Sequence, residues 1–152
     1  MAGEDWEAFR NGLARSLAVL PDGGALIVRD QQRTVCFVQF LFNYDHIRAE
    51  VASGWDLTHQ PNLTPEEFAA IERIGWLSPV HDHTLNHGLN IAWPAPSAEY
   101  RRVADISVVT LRDVFLVPSP ASLCYQSFIS PGNRPLLMHS LGIPLQEGKS
   151  GR

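Results

Sequence analysis

The run TVCFVQFLF, Thr34 to Phe42, constrains this chain more than any other stretch. Its β-branched and aromatic content fits a strand, whose side chains alternate between two faces. Cys36, Val38, Phe40 and Phe42 fall on one face, and Val35, Phe37, Gln39 and Leu41 on the other. A strand with one face in water carries mostly polar residues there; here Gln39 is alone. Both faces therefore need cover. If helices lie over Phe40, then Val35, Phe37 and Leu41 require something else. One cover is the chain's own tail, through Leu136, Leu137, Met138 and Leu141. The other is a second subunit or an extended peptide, since large apolar patches mark interaction sites. Each such side chain contributes about 1.5–3 kcal/mol on burial, so leaving three in water is a substantial loss.

The flanks of this strand supply partners for it. Ala25 to Arg29 is a short apolar strand, and Asp30-Gln31-Gln32-Arg33 is a turn into the longer one. Asn43-Tyr44-Asp45 reverses the chain into HIRAEVAS, where Ile47, Ala49 and Val51 alternate with His46, Arg48 and Glu50. The three segments form an antiparallel meander. Ahead of it, Trp6, Phe9, Leu13, Leu17 and Leu20 recur at steps of three and four, one stripe of an amphipathic helix that Pro21-Asp22-Gly23-Gly24 ends.

Beyond the meander, Leu63-Thr64-Pro65-Glu66-Glu67-Phe68 carries the chain's clearest local start signal. Thr64 is the expected N-cap, Pro65 the first helical residue and Glu67 the closing member of a capping box. Leu63 and Phe68 are spaced as a hydrophobic staple. Phe68, Ile71 and Ile74 form the buried face, and Gly75 caps the end. GLNIAW reads as a fourth strand stopped by Pro94 and Pro96. Ser97 is the expected cap of a third helix, with Tyr100, Val103, Ala104, Ser107, Val108, Leu111, Val114 and Phe115 as its apolar stripe and Pro118 and Pro120 as its stop. SLCYQSFI is a last strand. The expected fold class is α+β: an antiparallel β-sheet, a three-strand meander plus one or two further strands, with helices packed on one face in the order α-β-β-β-α-β-α-β. Residues 1–130 form this single domain, and 131–152 a C-terminal tail, partly packed or extended.

Composition narrows the function. A chain of 152 residues, 45% hydrophobic and 18% charged, is globular and long enough to bury a sizeable core. A net charge of −4 without basic blocks gives no footprint for nucleic acid or for an anionic membrane. No apolar run approaches the roughly 18–20 residues of a membrane span. The acidic start MAGEDWEAF is unlike a signal peptide, and Cys36 and Cys124 read as buried reduced thiols. These features place the protein in the cytoplasm.

The histidines are the chief chemical feature. His81, His83 and His87 lie within PVHDHTLNHG, with Asp82 and Asn86 as further oxygen donors. Zinc takes three or four such ligands at tetrahedral angles, so the cluster is admissible, but no HExxH, CxxC or other completing motif accompanies it. A hydrogen-bonded or solvated histidine loop is the preferred reading, since it requires no missing ligand. Cys36 and Cys124 sit in strand patterns, where a thiol is inert packing. Neither GxSxG, a P-loop nor GxGxxG occurs, so hydrolase and nucleotide readings have no anchor.

Several stretches carry a family resemblance: WEAFRNGLARSL followed by GALIVRD, then FVQFLF and IRAEV, then LTPEEFAAIERIGWLSP and VADISVVTLRDVFLVPSPASLCYQSF. Together they resemble type III secretion chaperones and YbjN-type proteins, and among these the N-terminal domain of actinobacterial chaperone-like proteins, over roughly residues 5–130. The resemblance implies a protein- or peptide-binding role without catalysis, usually as a homodimer. A typical secretion chaperone has another strand before its last helix, and the histidine segment occupies part of that region here.

The expectation is therefore a non-catalytic binding module with no cofactor and no metal. Its partner is a protein or peptide, neither nucleic acid nor membrane. Val35, Phe37 and Leu41 form the partner-binding surface, with Arg48 beside them supplying a charge. The alternative is a metal-dependent enzyme using His81, His83 and His87.

Overall fold

The computed structural model describes residues 2–55, 58, 60–79 and 85–146, the first three of these as backbone only. Three helices, α1 (Ala2–Val19), α2 (Pro65–Ile74) and α3 (Ser97–Val109), accompany strands β1 (Gly24–Asp30), β2 (Phe37–Asn43), β3 (His46–Val51), β4 (His87–Ala92), β5 (Leu123–Ile129) and the short β6 (Arg134–Pro135). All strand pairs are antiparallel, in the spatial order β4-β3-β2-β1-β5-β6. This is the α+β arrangement expected from the pattern. Among the described residues no helix is long and apolar enough to cross a membrane.

One face of the sheet is fully used. Leu26 and Val28 of β1, Val38, Phe40 and Phe42 of β2, and Ile47, Ala49 and Val51 of β3 are buried there. Leu89 and Ile91 of β4 and Leu123 and Tyr125 of β5 complete the layer. Trp6, Phe9, Leu13 and Leu17 from α1 and Tyr100, Val103, Ala104 and Val108 from α3 join them in one cluster. The stripes at steps of three and four thus meet the even-numbered face of β2, as amphipathic elements must.

Several local signals work as chemistry predicts, although of the expected α2 face only Ile71 is buried, with Ile74 half-buried and Phe68 37% exposed. Thr64 Oγ1 accepts the Glu67 N–H at 3.1 Å, and the Thr64 N–H donates to the Glu67 carboxylate at 2.9 Å, closing the capping box. Glu67 also takes a two-pronged ion pair from Arg33, at 2.8 and 3.0 Å, which ties α2 to the β1–β2 turn. Ser97, however, is not a cap. The N-cap of α3 is Pro96, without a side-chain bond, and Ser97 is the first helical residue. Nor do Pro118 and Pro120 stop the third helix. It passes into a π-helical turn, Thr110–Val114, and ends where Leu116 takes φ 57° and the Val117 N–H donates back to the Leu111 carbonyl. The left-handed residue satisfies the last carbonyls before either proline is reached.

The chain after β5 turns back over it. Arg134 and Pro135 pair with Ile129 and Phe128, and the Leu136 N–H donates to the Ser127 carbonyl. Further on, Tyr125 donates to the Pro144 carbonyl and accepts from the Gln146 N–H, at 3.0 and 2.7 Å. Between these contacts Met138 and Leu141 are buried in the helix-side core, and the Ser140 carbonyl lies so close to Gly12 of α1 that a Cβ there would collide with it. The tail therefore closes the outer edge of β5 and packs beside α1. At the opposite end of the sheet, Gly88 exchanges two hydrogen bonds with Leu77, at 3.0 and 3.1 Å. Bonding alternates along an antiparallel ladder, so Asn90 and Ala92 turn their backbone groups outward as Gly88 does, with no backbone partner among the described residues.

Candidate binding face

The sheet face opposite the helices is built by the odd-numbered residues of β1 and β2 and the even-numbered residues of β3, β4 and β5. Its registers run in rows. Phe128, Ala25, Leu41, Arg48 and Asn90 form one row, Gln126, Ile27, Gln39, Glu50 and Gly88 the next, and Cys124, Arg29 and Phe37 a third. No described helix lies over these rows. Leu41 is 38% exposed, and Ile27, Phe37 and Phe128 are half-buried. Of the tail residues expected as cover, Met138 and Leu141 are buried in the helix-side core, Leu136 packs against that core half-buried, and Leu137 is exposed.

Three of the four expected binding residues come together. Phe37 and Leu41 share this face of β2, and Arg48 stands directly across from Leu41 on β3. Val35 does not join the ladder. The strand starts at Phe37, later than its apolar alternation implies, because the Cys36 N–H donates to the Arg33 carbonyl and keeps residues 33–36 in a turn. Val35 sits on that turn, 43% exposed.

The polar groups on the face are held in a line. Gln39 Nε2 donates to Glu50 at 2.8 Å, and Arg48 Nε donates to the other Glu50 oxygen at 3.3 Å. The Arg48 guanidinium lies over Gly88, where a Cβ would meet it and have to push it aside. Arg29 differs. Its guanidinium lies 5.1 Å from the Phe37 ring centroid, a cation–π contact, and it makes no ion pair among the described residues. Its Nε is buried without a hydrogen-bond partner.

The histidine segment resolves in part. His81 and His83 lie outside the described residues. His87 is 1% exposed and belongs to β4. Its Nδ1 is 2.7 Å from Ser53 Oγ and its Nε2 3.0 Å from Glu72 Oε2, while Phe68 packs edge-on against the ring at 4.7 Å. Both ring nitrogens are thus engaged within the protein. Hydrogen bonds from Ser78 and then from His87 hold the Glu72 carboxyl below the usual carboxylate range. Among the described residues no group of histidine, cysteine and acidic side chains is arranged to hold a metal ion. Cys36 and Cys124 are both buried free thiols. Burial pushes the Cys36 thiol up to about 11 and raises that of Cys124, the reverse of a nucleophile's requirement.

This α+β sheet with helices on one face has a match among family models. The model described as T3SS (YopN, CesT) and YbjN peptide-binding chaperone 3, TY-Chap3, matches residues 1–129. The chain belongs to the TY-Chap3 family. Comparisons with curated proteins and with solved structures give no significant match. The TY-Chap3 match ends at Ile129, the last residue of β5, so the returning segment 134–146 lies beyond it. Sequence reasoning passed over Arg29, Ile27 and Phe128. Strand parity from Phe37 marks their face, but the missing partner of Arg29 shows only in three dimensions.

Proposed function

We propose that this TY-Chap3 protein is a non-catalytic module that binds an extended polypeptide on the helix-free face of its sheet. The observation that carries this reading is the row set of Phe37, Leu41, Ile27 and Phe128, apolar side chains in a continuous patch that no described element covers. Water contact with such a patch is a standing loss that a partner's apolar side chains remove. Arg48, fixed by Glu50 and by its seat on Gly88, gives the patch an ordered charged rim. Val35 on the adjoining turn extends the surface past the strand's start. A second copy of the chain is the alternative occupant of the face, and the family resemblance to dimeric chaperones favours a homodimer. We assign the protein to the cytoplasm, a reading supported by two buried, unpaired thiols.

The test is Phe37→Glu in the full chain, read by circular dichroism, light scattering and selection of binders from a displayed library of random short peptides. A folded variant that selects no peptides supports the face. A folded variant of unaltered mass that selects the wild-type peptides overturns it.

A further inference from the structure

A groove of about 490 Å³ opens on the helix-free face between β1, β5 and the returning tail, lined by Arg29, Gln31, Thr34, Cys124, Pro144, Leu145 and Gln146. Two of the three described buried polar side-chain atoms that lack a hydrogen-bond partner belong to residues of this groove: Arg29 Nε and Gln146 Oε1. Buried polar atoms are normally paired, and an orphan costs the full loss of its hydration. Both atoms are closed to solvent as well as unpaired, so what a ligand can reach in this groove is the rest of the Arg29 guanidinium.

The charge at this place is also uncompensated among the described residues. Arg29 forms no ion pair with any of them. The neighbouring acid, Asp30, is buried on the opposite side of the strand and accepts from the Gln32 N–H. Glu50 is occupied by Gln39 and Arg48, and Glu67 by Arg33. Gln31 is likewise committed, donating to the Leu123 carbonyl at 2.8 Å. The contact with Phe37 and the burial of Nε leave the terminal guanidinium nitrogens, which no described residue accepts from, as the donors that a carboxylate can take.

We propose that Arg29 is the acid-recognition point of the binding face: it takes a carboxylate side chain of the bound polypeptide, in a groove whose far wall is the returning tail. The proposal rests on the reading of the face as a peptide site. It adds that the partner is acidic at one position, beside apolar residues that reach Phe37 and Leu41. Part of the groove comes from Pro144 to Gln146, beyond the family match, so this chain's own tail helps set the preference.

The test is selection from the same displayed library on the wild-type protein, on Arg29→Gln, on Arg29→Lys and on Glu147→Gln, with circular dichroism on each. Wild type is expected to enrich peptides with Asp or Glu flanked by apolar residues. Arg29→Gln is expected to keep the apolar preference and lose the acidic one, with Arg29→Lys between them. On wild type alone, exchanging Glu for Gln in the leading peptide should weaken binding about tenfold, the effect of one charge-assisted contact. That arm needs no folded variant. Peptides without acidic enrichment, or an acidic preference that survives in Arg29→Gln, overturn the proposal while leaving the face intact. A several-fold gain of affinity in Glu147→Gln would assign Arg29 to the chain's own acid instead and overturn it too. Dissociation of a dimer by Arg29→Gln would give the site to a second copy. If Phe37→Glu still selects the wild-type peptides, the face itself is wrong, a result distinct from failure at Arg29.

Discussion

Glu72 of α2 and His87 of β4 meet at 3.0 Å, carboxylate to Nε2, while Ser53 closes on the other ring nitrogen at 2.7 Å. Ser53 also accepts the His87 backbone N–H at 2.7 Å, so one hydroxyl serves both the ring and the strand. The pair joins a helix to the sheet's outer strand with a buried ring. His87→Ala removes the ring's bonds and leaves Ser53 under-satisfied, at a cost of about 1–3 kcal/mol. Urea unfolding reads this as a lower midpoint at unchanged slope. An unchanged midpoint would show that the ring is not held in this way.

The same bonding argues against a metal. A third histidine ligand would have to leave Ser53 or Glu72 first. Treatment with a chelator is therefore expected to leave the melting temperature of the untagged protein unchanged. A fall of several degrees, reversed by zinc and lost in a His81→Ala, His83→Ala double variant, would restore the metalloenzyme alternative.

Thr64→Ala removes the cap and half of the capping box, and is expected to cost about 0.5–2 kcal/mol. Glu67 is shared between the box and Arg33, so the two contributions are coupled. A double-mutant cycle of Thr64→Ala with Arg33→Gln should give a non-additive sum. Strict additivity would mean that Glu67 does not link the β1–β2 turn to α2.

Stability should fall at both ends of the pH scale for different reasons. Arg33, by hydrogen bonding, holds Glu67 below the ordinary 4.5, and Ser78 with His87 does so for Glu72. A depressed carboxyl contributes stability above its unfolded value and loses it as pH drops through the folded one, so the acid limb lies below about 4.5. Cys36 shifts the other way, from 9.0 to about 11, by burial. Its neutral thiol contributes fully below 9.0, and that contribution is lost as pH rises from there to about 11. Thermal melts across pH check both limbs. Glu67→Gln should shrink the acid loss, and Cys36→Ala the alkaline one.

Most of the architecture was legible because its signals are local. The α1 and α3 stripes repeat within a few residues, and the capping box spans Thr64 to Glu67 alone. The start of β2 misled because apolar alternation continues through Val35, whereas a backbone bond from Cys36 to Arg33 decides where the ladder begins. Ser97 misled because Pro96 already supplies the extended residue that precedes a helix. The binding face was legible in part, from two apolar parities on one strand. Ser53, Glu72 and His87 come from three elements distant in sequence, and no spacing rule joins them. Arg29 looks ordinary in GALIVRD; what marks it is that no described acid pairs with it, which is a property of packing.

The strip formed by Arg134 to Leu136 and Pro144 to Gln146 has a consequence for how copies of this chain can line up. Filaments grow when every added copy offers a fresh strand border at its far side. Here the β5 border is already taken by the chain itself, whereas on β4 Asn90 and Ala92 present backbone groups with no backbone partner among the described residues. Two copies pairing there about a twofold axis would cover both of those stretches at once. Growth through the β4 border would thus stop at two copies.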